Sequence, residues 1–341
     1  MSAIIEVQNL VKTYPDGTEA VRGISFDVAE GEFFGFLGPN GAGKTTTIKI
    51  IITLMPYTSG QVLVMGFDRA HQANAIRQVI GYAPQDVGVD DDLTGRENLL
   101  MQGELFHMKH TALRQRVDEL LDLMDLTNDA ERPAGSYSGG MRKRLDLATG
   151  LMHRPRILFL DEPTTGLDPQ NRANLWVYLE RLNQQEHLTI FLTTHYMEEA
   201  DRLCHRLAII DHGEIRTIGS PRNLKQDIGG DVISLRFQSN GMPLPEQCEQ
   251  ARDLLAAAPF ALGADLFDEG VNVYAQQGGT VVPELIRLLE DHDLKVAQLS
   301  LTSPSLDDVF LKHTGHQIRQ EGPIENWRNR RGGFGRSRRR R

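Results

Sequence analysis

The sequence predicts an α/β protein: a core with a mixed sheet and a helical subdomain, then a small α+β domain and a basic tail. Three patterns predict it. Apolar runs of strand length alternate with helical stretches, one of those runs leads through a glycine-rich loop into a helix, and after Gly219-Ser220-Pro221 the order becomes β-α-β-β-α-β.

Ile4 to Val11 and Gly23 to Val28 alternate apolar residues around the turn Tyr14-Pro15-Asp16-Gly17, which predicts paired antiparallel strands at a sheet edge. Glu32 to Leu37 is a continuous apolar run typical of a buried strand, and Thr45 to Leu54 is helical. Helical spacing between about Leu93 and Leu126 predicts a helical insertion, with the whole subdomain spanning about 86–150. Strands at 157–160 and 189–192 flank a helix at 172–182, and 207–210 with 214–216 forms a closing hairpin. The first unit, with the core sheet, therefore runs from 1 to 220. A ferredoxin-like domain follows at 221–313, with a strand near 232–237, two strands near 264–275, a strand near 295–301 and helices near 246–257 and 281–291. Apolar periodicity disappears in the arginine- and glycine-rich segment 314–341, so a disordered tail is expected.

At 341 residues with 40% hydrophobic content, the chain can fill two cores. No apolar run approaches the roughly 18 residues of a bilayer-spanning helix, and a secretory signal is not expected. Cys204 and Cys248 lie far apart without metal-ligand spacing, consistent with small buried hydrophobes in a reducing cytoplasm. The net charge of −9 counts against nucleic acid as a partner.

Gly38-Pro39-Asn40-Gly41-Ala42-Gly43-Lys44-Thr45, continued by Thr46, follows a strand and opens a helix, the setting of a phosphate loop. Small residues let backbone amides surround the β-phosphate of ATP, Lys44 bridges β and γ oxygens, and Thr45 offers a hydroxyl to Mg2+. The fold class is thereby that of a P-loop NTPase. The strand 157–160 ends in Asp161-Glu162, and two carboxylates at such an end need a compensating cation. Alternation aims them differently, so Asp161 is assigned to Mg2+ through water and Glu162 to the attacking water as general base.

Ser136-Tyr137-Ser138-Gly139-Gly140-Met141, just upstream of that strand, resembles the signature of the ATP-binding-cassette family. Physically it is a serine and two glycines at a helix start, where amides and a hydroxyl can face an anion. Tyr137 and Met141 replace the commoner leucine and glutamine, leaving Ser138, Gly139 and Gly140 intact. The resemblance covers about residues 4–220. It implies that Tyr14 stacks on adenine, that Gln85 senses Mg2+ and the nucleophilic water, that Asp168 follows the carboxylate strand, and that His195 is the γ-phosphate switch.

The family pattern further implies that two cassettes join head to tail around ATP, the signature of one capping the nucleotide of the other. No arginine beside these motifs is an obvious finger for the transition-state charge, which fits such a cap. Gln85 and the helical insertion would contact integral membrane permease subunits at the cytoplasmic face; a merely structural subdomain is the alternative. Ser303-Pro304-Ser305-Leu306-Asp307-Asp308-Val309-Phe310-Leu311 resembles the carboxy-terminal motif of daunorubicin-resistance exporter ATPases, implying efflux of a drug-like or lipid-like molecule. The end from Arg328 to Arg341, beside Trp327, reads either as an inert solvated tail or as a contact to anionic lipid. The rival readings are a soluble cassette ATPase acting on ribosomes or DNA, a regulatory module without turnover, and an importer ATPase. The single cassette without a long coiled-coil insertion weighs against the first, and intact Glu162 and His195 against the second.

Overall fold

The computed structural model describes residues 3–227, 229–238, 243–267 and 270–314. Strands β1 (Ala3–Thr13) and β2 (Glu19–Ala29) pair antiparallel around the turn at Tyr14, as their alternation requires. After β3 (Phe33–Leu37) the phosphate loop enters α1 (Lys44–Ile51). The next segment holds β4 (Ser59–Val64), β5 (Phe67–Asp68), α2 (Ala73–Val79) and β6 (Ile80–Ala83). None of these four stands out in the sequence: β4 turns only Val62 and Val64 into the core, too short a period to recognise.

The helical insertion consists of α3 (Gly95–Leu105) and α4 (His110–Leu123), followed by α5 (Gly139–Leu151). A capping box starts α3: Glu97 N–H donates to Thr94 Oγ1 at 3.1 Å and Thr94 N–H to Glu97 Oε2 at 2.8 Å. The core then continues through β7 (Ile157–Asp161), α6 (Pro169–Glu186), β8 (Thr189–Thr194), α7 (Met197–Leu203), β9 (Arg206–Asp211), β10 (Glu214–Gly219) and α8 (Pro221–Gln226).

Two sheets result. One has the order β2-β1-β4-β5 and is antiparallel; the other has the order β10-β9-β3-β8-β7-β6, parallel except for the β9–β10 hairpin. The unbroken apolar runs of β3, β7 and β8 follow from burial on both faces. Phe34, Phe36, Phe159 and Phe191 face the antiparallel sheet, where they cluster with Phe26, while Phe33, Leu37, Leu158, Leu160, Ile190 and Leu192 face the helices.

The remaining elements are β11 (Asp231–Phe237), α9 (Leu244–Ala256), β12 (Gly263–Phe267), β13 (Gly270–Ala275), α10 (Gly278–Glu290), β14 (Val296–Thr302) and α11 (Leu306–Thr314). The sheet order β12-β13-β11-β14, with every pair antiparallel, is that of two interleaved β-α-β units, as the element order predicted. These strands share a core with α9 and α10 that includes Cys248. Helices α8 and α11 do not join it. Leu224, Leu306, Val309 and Phe310 pack instead in the cluster of Leu203 and Leu207, so the motif at 303–311 folds back onto the preceding unit.

Candidate functional site

The phosphate loop leaves β3 at Gly38 and re-enters regular structure at Lys44. Gly43 caps α1 with φ 103° and supplies no side-chain acceptor, so the first helix amides are left for an outside anion. A side chain cannot replace this glycine, because a Cβ would lie 2.4 Å from the Ala20 carbonyl. Asn40, Gly41, Ala42, Gly43, Lys44, Thr45 and Thr46, with Ala20, Gln85 and Glu162, line an open cleft of about 320 Å³.

Lys44 is 4% exposed, and its Nζ donates to the carbonyls of Gly38 at 2.7 Å and Pro39 at 3.1 Å. It also lies 3.1 Å from Glu162 Oε1. Burial pushes the Lys44 ammonium below its ordinary value, and Glu162 and Asp161 oppose that push. Glu162 follows β7 directly with φ 47°, a left-handed conformation that costs a residue with a Cβ about 1 kcal/mol or more. Its amide donates to the carbonyl of Thr193 at 3.0 Å, its Oε2 accepts from Thr165 Oγ1 at 3.3 Å, and His195 Nδ1 lies 3.1 Å from the same oxygen. Burial works to raise the Glu162 carboxyl, but His195 and Lys44 together bring it down to about 2.

Asp161, the last residue of β7, has different partners. Its Oδ1 accepts from Thr45 Oγ1 at 3.0 Å and from Thr193 Oγ1 at 2.6 Å. A hydroxyl and a carboxylate oxygen, with the Gln85 amide in the same cleft, form a hard-oxygen set that suits Mg2+. Thr193 was not legible as a site residue. The only signal it gives is a pair of hydroxyls, Thr193-Thr194, ending an otherwise apolar strand before His195.

Tyr14 reaches the loop through its hydroxyl, 3.2 Å from Thr46 Oγ1. Ser138, Gly139, Gly140 and Asp168 do not line the cleft. They meet one another instead. Ser138 caps α5 by accepting from the Met141 amide at 3.3 Å, and Asp168 caps α6 by accepting from the Asn171 amide at 3.0 Å. Asn171 then closes on Gly140, where a Cβ would lie 2.4 Å from Asn171 Oδ1.

The geometry agrees with what the chain resembles elsewhere. The family profile for ABC transporters matches residues 21–165, and the profile for the C-terminal domain of DrrA1-3-like ATP-binding proteins matches 219–314. Daunorubicin resistance ATP-binding protein DrrA2 of Streptomyces coeruleorubidus is 41% identical over 92% of this chain and 95% of its own length. Linearmycin resistance ATP-binding protein LnrL of Bacillus subtilis is 34% identical over 93% of this chain and 100% of its own. Among solved structures, cbiO1 of Clostridium perfringens, part of the ABC transporter complex cbiONQ, aligns with a TM-score of 0.62 at 26% identity, over 66% of this chain and 91% of that one. An ATP-binding cassette solved as a dimer in a post-hydrolysis state with ADP and Pi aligns at 0.58 and 27% identity, over 63% of this chain and 98% of that one. No helix among the described residues is long and apolar enough to cross a membrane. Spanning nearly the whole of a 41%-identical relative, the chain belongs to the ABC transporter family as an ATP-binding subunit of the daunorubicin-resistance type, an ATPase.

Proposed function

We propose that the chain hydrolyses Mg2+-ATP in a cleft closed by a second copy of itself, at the cytoplasmic face of the membrane. In this reading it drives export of a hydrophobic drug-like or lipid-like molecule through a separate permease. Its relatives named for daunorubicin and linearmycin resistance support the direction and the cargo class. The observation that carries the chemistry is the cluster of buried Lys44 and Glu162 with half-buried His195, beside the Thr45–Asp161 hydrogen bond.

Lys44 is held by two carbonyls and one carboxylate, so the β- and γ-phosphates compete with Glu162 for the same ammonium. Once Lys44 turns to phosphate, Glu162 loses one of the two groups that depress it, while its burial still acts to raise it. It becomes a better base at the moment substrate arrives. His195 and Thr165 hold the other carboxylate oxygen, leaving Oε1 to take the proton of the attacking water. Thr45, Asp161 and Gln85 would hold Mg2+, which supplies neutralisation of the charge on the β- and γ-phosphate oxygens. Tyr14, beside Thr46, would stack on the adenine.

Because Ser138, Gly139 and Gly140 lie off the cleft of their own chain, the reading places them against the nucleotide of the partner copy, with Asp168 beside them. Residues 1–220 then carry catalysis, the helical subdomain of about 86–150 with Gln85 meets the permease, and 221–313 is accessory. The Arg-rich tail lies outside the described residues. An anionic-lipid contact there predicts weaker liposome cosedimentation after deletion beyond Gly315; unchanged cosedimentation would leave an inert tail. The functional test is recovery of the tagged Glu162→Gln chain from solubilised membranes with ATP. Copurification of a multi-spanning permease supports the reading, and recovery of ribosomal or DNA-bound proteins contradicts it.

A further inference from the structure

A buried ion pair outside the cleft ties the signature helix to the Gln85 loop. Lys143 and Asp146, on α5, are 5% and 2% exposed, and Lys143 Nζ lies 3.8 Å from Asp146 Oδ2. Lys143 Nζ donates to the carbonyls of Pro84 at 2.7 Å and Gln85 at 3.2 Å. Asp146 Oδ1 accepts the amide of Gly88 at 3.0 Å. The loop 84–88 is irregular backbone, and the two side chains of α5 take up these polar groups of it. One helix therefore clamps both ends of the loop. The same helix packs on the strand that leads into it: a Cβ on Gly81 of β6 would lie 2.3 Å from the Gly150 carbonyl.

Ser138 caps this helix, and Lys143 lies five residues further along, roughly 7 to 8 Å at 1.5 Å per residue. A helix does not compress over that distance. Lys143, and with it the hydrogen bond to the Gln85 carbonyl, would therefore follow a displacement of the N-terminus of α5. We propose that Lys143 and Asp146 are positioning residues for the reaction, a latch that sets Gln85 according to what Ser138, Gly139 and Gly140 engage. Neither side chain lines the cleft. This rests on the assignment of Gln85 to the catalytic cleft made above.

Removing one partner would leave an uncompensated buried charge and risk unfolding, so the test uses two double variants. Lys143→Met/Asp146→Leu replaces the pair with apolar side chains of similar size and removes every hydrogen bond to the loop. Lys143→Gln/Asp146→Asn removes the charges and keeps a donor for Pro84 and an acceptor for Gly88. Hydrogen exchange over residues 84–90 and steady-state ATP hydrolysis are measured on the full chain, with Gln85→Ala as the reference. The Met/Leu variant is expected to exchange about tenfold faster in the loop and lose tenfold or more in kcat, with KM for ATP within about threefold and an unchanged Tm. The Gln/Asn variant should stay near the parent in both. Parent-like exchange and kcat in the Met/Leu variant would overturn the latch, as would equal losses in the two double variants. A Gln85→Ala chain with parent kcat would remove the underlying assignment of Gln85 instead, and the exchange comparison would still decide whether the pair holds the loop.

Discussion

Replacing Glu162 with glutamine should lower stability in a manner that depends on pH, and the size follows from its surroundings. The carboxyl is held at about 2 rather than the ordinary 4.5, which at ~1.4 kcal/mol per pH unit corresponds to about 3 kcal/mol. A depressed carboxyl stabilises the fold above its unfolded value, so the contribution is complete above about pH 5. It is lost progressively as pH falls through 4.5 toward 2, about half remaining near pH 3. Glutamine imitates the protonated carboxyl. The parent should exceed Glu162→Gln by about 3 kcal/mol at pH 7, and the two should converge in acid. Urea unfolding of both chains in a Trp327→Phe background, followed at Trp176, makes the comparison; Trp176 is buried in the same unit and donates to Glu199 Oε1 at 3.0 Å. Titration of the other carboxylates cancels in the difference. A difference that stays constant from pH 7 to pH 3, or vanishes at pH 7, would refute the charge coupling of Glu162 to Lys44 and His195.

Two further substitutions probe the metal side of the cleft and the packing of β3. Thr193→Val removes the 2.6 Å hydrogen bond to Asp161 while keeping the shape of the side chain, and a hydrogen bond to a charged group contributes about 1.5–3 kcal/mol. The Mg2+ concentration giving half-maximal hydrolysis should rise about tenfold, with little change in nucleotide affinity measured without Mg2+. Gly35→Ala places a Cβ 2.5 Å from Cys204 Sγ on the helix-covered face of β3, an overpacking that costs about 1–3 kcal/mol. Thermal unfolding should show the loss, and Gly35→Ala/Cys204→Ala should recover most of it.

The contiguous parts of the site were legible because their chemistry is local: Gly38 to Thr45 and Asp161-Glu162 carry strand, loop and helix context within a few residues. The small C-terminal sheet was legible for a similar reason, since short strands and helices succeed one another with clear periods. What pattern could not show is which surface an apolar face covers. Leu306, Val309 and Phe310 follow the small sheet in sequence yet pack with Leu203 and Leu207. Nor does pattern show when a charge is buried. Within Arg142-Lys143-Arg144, Lys143 is 5% exposed, and the loop carbonyls of Pro84 and Gln85 take its hydrogens. Signature and cleft are joined in sequence by order alone, and the signature residues do not line the cleft of their own chain.

That separation makes the mass of the Glu162→Gln chain in solution the most direct test. Light scattering with and without Mg2+-ATP should show twice the monomer mass only with nucleotide, and Ser138→Arg on the same background should return it to the monomer. A chain that binds ATP yet stays monomeric, or that dimerises equally well with Ser138→Arg, would contradict a nucleotide shared between the phosphate loop of one copy and the signature of the other.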